Sequence, residues 1–193
     1  MTESDSDDFG DMKEFFASMA NRPLVRVITP DAIAEQPDSE LEVTIFDIVW
    51  GARGREPLQL LEELPDGFSV VYPTMALETE VSTGGFNQFF YNPTRELYPL
   101  ALAGYERLDC PEIVSLLASA SEMYGTEARM WKKAKLLMAG TLSAFFKSYE
   151  HTNLGSLDEQ MWAAKETIEP KRLEFIRQNP ELFAGDFQHL YSH

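Results

Sequence analysis

The chain has 193 residues and a strongly acidic composition, with 32 Asp and Glu residues against 16 Lys and Arg residues. This length suits one ordinary domain, and a hydrophobic content of 44% is enough to build a substantial core. The single cysteine, Cys110, excludes an intrachain disulfide. No apolar stretch approaches the roughly 20 residues that span a bilayer, and no basic leader is present, so we expect a cytoplasmic protein.

The negative charge is concentrated in the first 80 residues. Residues 1–80 contain 18 acidic and 5 basic residues, whereas residues 81–193 contain 14 acidic and 11 basic residues. Such a segment repels a phosphate backbone, so we expect no direct contact with nucleic acid and instead a basic protein partner. A solvated acidic face that only keeps the protein soluble is the alternative interpretation.

Ten carboxylates between residues 31 and 66 are the candidates for a partner-binding surface, in a span whose only cations are Arg53 and Arg55. They are Asp31, Glu35, Asp38, Glu40, Glu42, Asp47, Glu56, Glu62, Glu63 and Asp66. Duplex DNA carries one negative charge per roughly 1.7 Å of its axis. If the carboxylates gather on one side of the protein, that face reaches about half of this charge density.

In chain order, the first predicted feature is a disordered acidic tail over residues 1–10, followed by a single helical domain over residues 11–193. Met12, Phe16 and Met19 recur at helical spacing and predict a short first helix. Residues 23–30 are rich in β-branched side chains and bracketed by prolines, which predicts one short extended segment near residues 24–29. We interpret residues 31–38 as an acidic linker.

The next stretch shows clear helical signals. Ser39 and Glu42 have the spacing of a capping box, ahead of an apolar stripe formed by Leu41, Ile45, Ile48 and Val49. Residues 57–64 predict one or two further helical turns. The helical pattern resumes at residue 68 with Pro73 as a kink, and Gly84 and Gly85 are predicted to end that helix.

The C-terminal half continues with amphipathic helices. Phe86, Phe89 and Phe90 predict a short buried helix, and Thr94 is predicted to cap the next one. Pro111 is predicted to open a helix that Gly125 separates from two more, over residues 126–138 and 141–149.

A second capping box, Ser156 with Glu159, predicts a helix that Pro170 interrupts, and residues 183–191 are expected to dock on the core. The sequence thus predicts an all-α, single compact multi-helix domain of about eight or nine helices.

Residues 78–92 read ETEVSTGGFNQFFYN and contain the most specific motif of the chain. An acidic helix end followed by G-G-F-x-Q-F-F-x-N resembles the signature of the DNA-mimic-protein family, a group of bacterial all-helical proteins. The matching residues are Glu80, Gly84, Gly85, Phe86, Gln88, Phe89, Phe90 and Asn92. The resemblance extends loosely from residue 68 to residue 180. It departs at Ser82 and Thr83, where asparagine is expected, and at Pro73.

This resemblance implies a decoy that presents carboxylates where a DNA-binding protein expects phosphates. The residues of the motif favour a structural role, because two glycines allow close helix approach and three phenylalanines fill a core. Gln88 and Asn92 would then donate hydrogen bonds to exposed backbone near the turn, with Glu80 stabilising that turn. A ligand or partner site at the motif is the alternative.

Catalytic and metal chemistry is weakly indicated. His189 and His193 lie four residues apart but lack a convincing third ligand, and His151 stands alone. Glu78 and Glu80 point to different sides of a helix, so they cannot easily act together as acid and base. No glycine-rich turn carries the residues of a phosphate-binding loop. We therefore predict a protein that is not an enzyme and that needs no cofactor or metal.

The leading hypothesis is an acidic interaction protein that occupies the basic DNA-binding surface of a regulator or nucleoid protein. One alternative is an immunity or antitoxin-like protein that blocks a basic toxin. Another is a small-ligand binder or enzyme with a pocket beside Glu80, Gln88 and Asn92. The basic cluster at residues 131–135 could pair with the acidic half of a second copy in a homodimer. Neither nucleic acid nor a membrane is expected as a direct partner.

Overall fold

The computed structural model describes residues 25–52, 55–138 and 153–191, and in the long helix before residue 138 it describes side chains up to residue 125. Within these ranges the chain forms seven α-helices, which confirms the predicted all-α class. They are α1 (Pro30–Glu35), α2 (Asp38–Gly51), α3 (Pro57–Glu63), α4 (Asp66–Tyr91), α5 (Tyr98–Arg107), α6 (Pro111–Met138) and α7 (Gly155–Gln178). Short 3-10 turns occupy Pro93–Leu97, Pro180–Leu182 and Gln188–Tyr191.

Two very short strands pair the N-terminal part of the described chain with its C-terminal part. Strand β1 (Val27–Ile28) pairs antiparallel with β2 (Gly185–Asp186), so that Val27 lies opposite Asp186. The extended segment predicted near residues 24–29 is therefore confirmed. The C-terminal segment also docks as predicted, since Phe183, Phe187 and Leu190 are buried.

The helix count in the described ranges is lower than the predicted eight or nine. The predicted tail at residues 1–10 and the predicted helices at 12–19 and 141–149 lie outside those ranges. The predicted breaks at Gly125 and Pro170 are wrong, because α6 continues through Gly125 and α7 continues through Pro170. Both residues are exposed. An exposed glycine costs a helix only about 1 kcal/mol, and a carbonyl that loses its partner beside an exposed proline can bond to water.

Several predicted helix starts are also wrong. The supposed acidic linker contains α1, whose N-cap is Thr29; its Oγ1 accepts a hydrogen bond from the Ala32 N–H at 3.1 Å. The capping boxes at Ser39 and Ser156 do not form, since α2 and α7 begin without a side-chain cap. Thr94 lies in a 3-10 turn and donates to Glu80 instead of capping α5.

Helix α4 is central to the molecule, because it contacts α2, α3, α5, α6 and α7. Its first part belongs to a hydrophobic cluster shared with α1, α2, α3 and the C-terminal segment. Its last part belongs to a second cluster shared with α5, α6 and α7. Pro73 lies within α4 without restarting it; the dihedral angles leave the helical region at Gly84 and Gly85, where the sequence predicts a break.

Close packing fixes α5 against the middle of α4. A Cβ on Gly104 would lie 2.6 Å from the Val70 carbonyl oxygen, so only glycine permits this approach. At the next residue of α5, the buried Tyr105 hydroxyl donates to Glu78 of α4 at 2.9 Å. None of the helices in the described ranges is long and apolar enough to cross a membrane.

Candidate functional site

The glycine pair of the signature interrupts α4 at the place where α4 packs against α7. Gly85 has φ 69° and ψ −179°, a backbone conformation that is essentially restricted to glycine. A Cβ at this position would lie 2.8 Å from Asp158 Cγ, so the side chain of α7 fills the space that a larger residue would need. Asp158 Oδ1 accepts the Phe86 N–H at 2.7 Å and caps the resumed helix from α7.

The environment of Asp158 shows that this cap is partly shielded from water. Burial raises the pKa of the Asp158 carboxyl, and the hydrogen bond from the Phe86 N–H acts in the opposite direction. On the other side of the break, the Trp162 indole N–H donates to the Val81 carbonyl at 3.2 Å. Two residues of α7, four positions apart, therefore bond to α4 on either side of its interruption.

The aromatic residues of the signature lie inside the second hydrophobic cluster. Phe86, Phe89 and Phe90 are buried, as predicted. Phe90 packs edge-on against Phe89 and stacks on Tyr124 of α6 with a centroid distance of 4.8 Å. Packing of this kind holds α6 against the end of α4 and leaves these rings no free face for a ligand.

The polar residues of the signature bond to one another. Glu80 Oε2 accepts from Gln88 Nε2 at 2.7 Å and from Asn92 Nδ2 at 2.9 Å, and its Oε1 accepts from Thr94 Oγ1 at 2.7 Å. The expectation that the Gln88 and Asn92 side chains bond to exposed backbone is therefore wrong, because a carboxylate is the stronger acceptor. Glu80 joins the two halves of α4 across the glycine break.

A buried ion cluster lies on the other side of α4. The Arg172 side chain, only 2% exposed, donates to Glu78 Oε1 at 2.6 Å and to Glu42 Oε1 at 2.6 Å. Burial disfavours its charge, but Glu78 and Glu42 together raise the pKa of Arg172. The Tyr105 hydroxyl donates to the same Glu78, and burial raises the pKa of Tyr105 well above its usual value.

This cluster has two carboxylates for one guanidinium, and its members come from α2, α4 and α7. Burial raises the pKa of Glu42, while Arg172 opposes that shift and the nearby Glu78 and Glu169 carboxylates add to it. Through its pair with Arg172, Glu42 therefore joins the acidic N-terminal helices to the rest of the fold. It is half-buried rather than part of an open acidic surface.

The other predicted surface carboxylates are mostly exposed but lie at different places. The exposed ones are Asp31, Glu35, Asp38, Glu40, Glu56, Glu62, Glu63 and Asp66, whereas Asp47 is half-buried like Glu42. Asp38 lines a groove beside α7, and Glu56 lines a cleft at the far end of α2. Glu63 pairs with Arg55. Asp38 and Glu56 thus lie at opposite ends of α2.

An acidic groove lies between the start of α2 and the second half of α7. It has a volume of about 610 Å³ and is lined by Asp38, Glu166, Glu169, Pro170, Leu173, Glu174 and Arg177. Four carboxylates therefore share this groove with one guanidinium. Arg177 donates to Asp38 at 2.5 Å, and also to the carbonyls of Ile33 and Gln36, so it fixes α1 and α2 against α7.

The sequence analysis did not include the α7 carboxylates of this groove. Their positions, together with Pro170, Leu173 and Arg177, follow the three- and four-residue spacing of one helix face, and that periodicity could have been read from the sequence. Their proximity to Asp38 could not, because it depends on how α2 packs on α7. The two lysines of α7 lie outside this groove. Lys165 lies beside the Arg172 cluster, and Lys171 donates a hydrogen bond to the Asp109 carbonyl.

A second cleft, of about 580 Å³, opens at the other end of α2 and is largely apolar. Its floor includes Val49, Tyr72 and Leu97, and burial raises the pKa of Tyr72 to about 12. No group of three His, Cys, Asp or Glu residues suited to a metal ion occurs in the described part of the chain. His151, His193 and the side chains of the basic cluster at 131–135 lie outside that part.

Comparison with known proteins agrees with the resemblance seen in the signature. The family model for DMP19-like protein matches residues 62–179, which is more than half of the chain and contains the glycine break, Glu80, Asp158 and Arg172. The N-terminal helices α1 and α2 lie outside the match. No curated protein sequence matches the chain. The chain belongs to the DMP19-like protein family, the DNA-mimic protein family.

Proposed function

We propose that this protein is a non-enzymatic interaction protein that presents carboxylates to the basic DNA-binding surface of a regulator or nucleoid protein. The acidic groove between α2 and α7 is the observation that supports this function most strongly. Asp38, Glu166, Glu169 and Glu174 line it together, and Arg177 already pairs with Asp38. A cationic surface that normally contacts phosphates would meet several neighbouring negative charges here.

The groove is built on rigid elements, which suits recognition of a fixed pattern of cations. Glu166 and Glu169 are three residues apart on α7, so their Cβ atoms are about 5–6 Å apart. Helix α7 is anchored in the middle of this region by Arg172 on Glu78, and at its C-terminal end by Arg177 on the α1–α2 segment. Little ordering of the groove is therefore needed when a partner binds.

The carboxylates of the signature favour a structural role over catalysis. Glu78 bonds to Arg172 and Tyr105, and both oxygens of Glu80 accept hydrogen bonds from side chains. A polar ligand beside Glu80, Gln88 and Asn92 would have to break these hydrogen bonds before it could bind there. The immunity-like alternative uses the same acidic groove against a basic toxin and stays a prediction.

A competition experiment tests the proposal. A purified bacterial nucleoid protein is bound to a fluorescent DNA duplex at low salt, and this protein is added as competitor. We expect displacement of the DNA, because both ligands need the same cations. The variant Glu166→Gln/Glu169→Gln/Glu174→Gln should need at least about tenfold more protein, since each neutralised carboxylate removes a charge contact.

The matched control, Glu106→Gln/Glu112→Gln/Glu122→Gln, removes the same charge from exposed positions on α5 and α6. It should compete almost as well as the unmodified protein. If the protein leaves the DNA bound at low salt, or if the two triple variants are equally impaired, the groove does not act as a DNA mimic.

A further inference from the structure

The apolar cleft at the end of α2 has the features of a docking site for a large side chain. Val49, Tyr72 and Leu97 are buried in its floor, and Trp50 stands at its mouth. It lies at the opposite end of α2 from the acidic groove, a helix of 14 residues or about 20 Å. The two sites are thus separate but belong to the same helix.

Trp50 is exposed to 53% although it is one of the largest apolar side chains of the described chain. Its ring stacks on Phe46 with a centroid distance of 6.0 Å, and Phe46 packs on Tyr72 at 5.3 Å. The indole is therefore supported from behind while its other side stays open. Rigid, half-exposed tryptophans beside a pocket are typical of the residues that dominate binding energy at protein interfaces.

The mouth of the cleft carries negative charge. Glu56 and Glu96 line it and are exposed, and neither forms an ion pair with any residue that the structure describes. Arg55 also lines the cleft, but its guanidinium pairs with Glu63. The pattern of an apolar floor inside an acidic rim is complementary to an apolar side chain flanked by cations.

We propose that this cleft binds a short basic, amphipathic segment of a partner protein. One large apolar side chain of that segment occupies the floor against Trp50, and flanking Lys or Arg side chains meet Glu56 and Glu96. The choice of a basic partner rests on the proposed function, but the apolar anchor goes beyond it, because phosphate mimicry needs no such contact. Part of the cleft, including Trp50 and Glu56, precedes the matched region 62–179, whereas Tyr72, Glu96 and Leu97 lie within it.

Two synthetic peptides of equal charge test the proposal. Both carry lysine pairs on either side of a central dipeptide, which is Phe-Leu in one and Ser-Ser in the other. Binding to the full chain is measured by fluorescence anisotropy at 50 and 500 mM NaCl. We expect the Phe-Leu peptide to bind at least about tenfold more tightly, and to keep much of that advantage at high salt, since burial of apolar area is not screened.

Variants of the cleft identify the contacts. Trp50→Ala should weaken the Phe-Leu peptide by about fivefold or more and leave the Ser-Ser peptide unchanged. Trp162→Ala, which removes an indole exposed to 52%, is the matched control and should leave both affinities unchanged. Glu56→Lys/Glu96→Lys should weaken both peptides at 50 mM NaCl. Thermal melts confirm that each variant is folded at the assay temperature.

Equal binding of the two peptides, or equal effects of Trp50→Ala and Trp162→Ala, would overturn this proposal. Self-association of the protein that Trp50→Ala abolishes, without peptide binding, would overturn it in favour of a second copy as occupant. The groove variant Glu166→Gln/Glu169→Gln/Glu174→Gln should still prefer the Phe-Leu peptide. If the protein fails only to displace DNA, the proposed function is contradicted. If it fails only to distinguish the two peptides, the proposal that the apolar cleft is a docking site is contradicted.

Discussion

At the scale of single residues, Gly85 has the most restricted conformation in the signature. Its dihedral angles lie in a region that other residues enter at a cost of about 1–3 kcal/mol. Asp158 also occupies the space where a Cβ would be. The glycine is therefore required twice, once for the backbone and once for the approach of α7.

We expect Gly85→Ala to lower the free energy of unfolding by about 1–3 kcal/mol from the backbone alone. Displacement of Asp158 from the Phe86 N–H should add to that loss. Urea denaturation measures the change. Gly125→Ala is the control, because nothing lies within 4 Å of a Cβ there, and it should stabilise α6 by up to about 1 kcal/mol. If Gly85→Ala left the free energy of unfolding unchanged, the break in α4 could form without glycine.

The Arg172 cluster predicts a pH dependence of stability. Because burial raises the pKa of Glu42 above 4.5, the folded state binds a proton there more tightly than the unfolded state. This tighter proton binding stabilises the folded state fully below about pH 4.5, and the stabilisation is lost as the pH rises through the folded-state pKa of Glu42. Relative to Glu42→Gln, the unmodified protein should lose stability between pH 4.5 and pH 7.

Urea unfolding of both proteins across that pH range measures this difference. The transitions should coincide by fluorescence and circular dichroism, so that the comparison uses two-state free energies. A difference that grows in favour of the unmodified protein as the pH rises would show that the pairing with Arg172 outweighs the cost of burying Glu42.

At the scale of elements, helical periodicity predicted the buried faces well. Leu41, Ile45, Ile48 and Val49 are all buried in α2, because a repeat of apolar residues directly reflects burial. A break predicted from a single glycine failed at Gly125, whereas the break predicted from the glycine pair was found at Gly84–Gly85. The difference is tertiary, since Asp158 and Trp162 of α7 bond to the backbone on either side of the glycine pair.

The capping box at Ser39 failed for a similar reason. At the start of α2 the second residue of the box, Glu42, bonds to Arg172, which lies 130 positions away in the sequence. A local motif cannot reveal such a competitor. Thr29, by contrast, caps α1 with a contact three residues away, although the surrounding segment resembled a linker because it is short and acidic.

These two helix starts give a matched prediction. Thr29→Ala should lower the free energy of unfolding by about 0.5–2 kcal/mol, because the Ala32 N–H loses its acceptor. Ser39→Ala should change it little, since no side-chain cap is present at the start of α2. Urea denaturation of the two variants measures the contrast. An equal loss from Ser39→Ala would indicate that the box forms in solution.

At the scale of the whole molecule, the distribution of charge along the sequence does not equal its distribution in space. The acidic candidates were chosen as neighbours between residues 31 and 66, but the groove joins one of them, Asp38, to carboxylates of α7. Arg177, together with the pair of Glu42 and Arg172, brings these distant segments together by joining α1 and α2 to α7. Since α4 takes part in both hydrophobic clusters, one domain over residues 11–193 stays our prediction.

The net charge of −16 predicts that salt stabilises the protein. Raising NaCl from 10 mM to 0.1 M shortens the screening length from about 30 Å to about 10 Å, which weakens repulsion among distant carboxylates. The melting temperature should rise over this range. It should rise less for Glu166→Gln/Glu169→Gln/Glu174→Gln, whose groove carries three fewer negative charges, than for the unmodified protein.

The control variant Glu106→Gln/Glu112→Gln/Glu122→Gln separates groove repulsion from net charge, because it removes the same charge from α5 and α6. Its melting temperature should depend on salt more strongly than that of the groove variant, since the groove places its carboxylates side by side. A melting temperature that falls when NaCl is added would instead mean that attraction dominates. Exposed pairs such as Arg177 with Asp38, which salt weakens, would then outweigh the repulsion among the unpaired carboxylates.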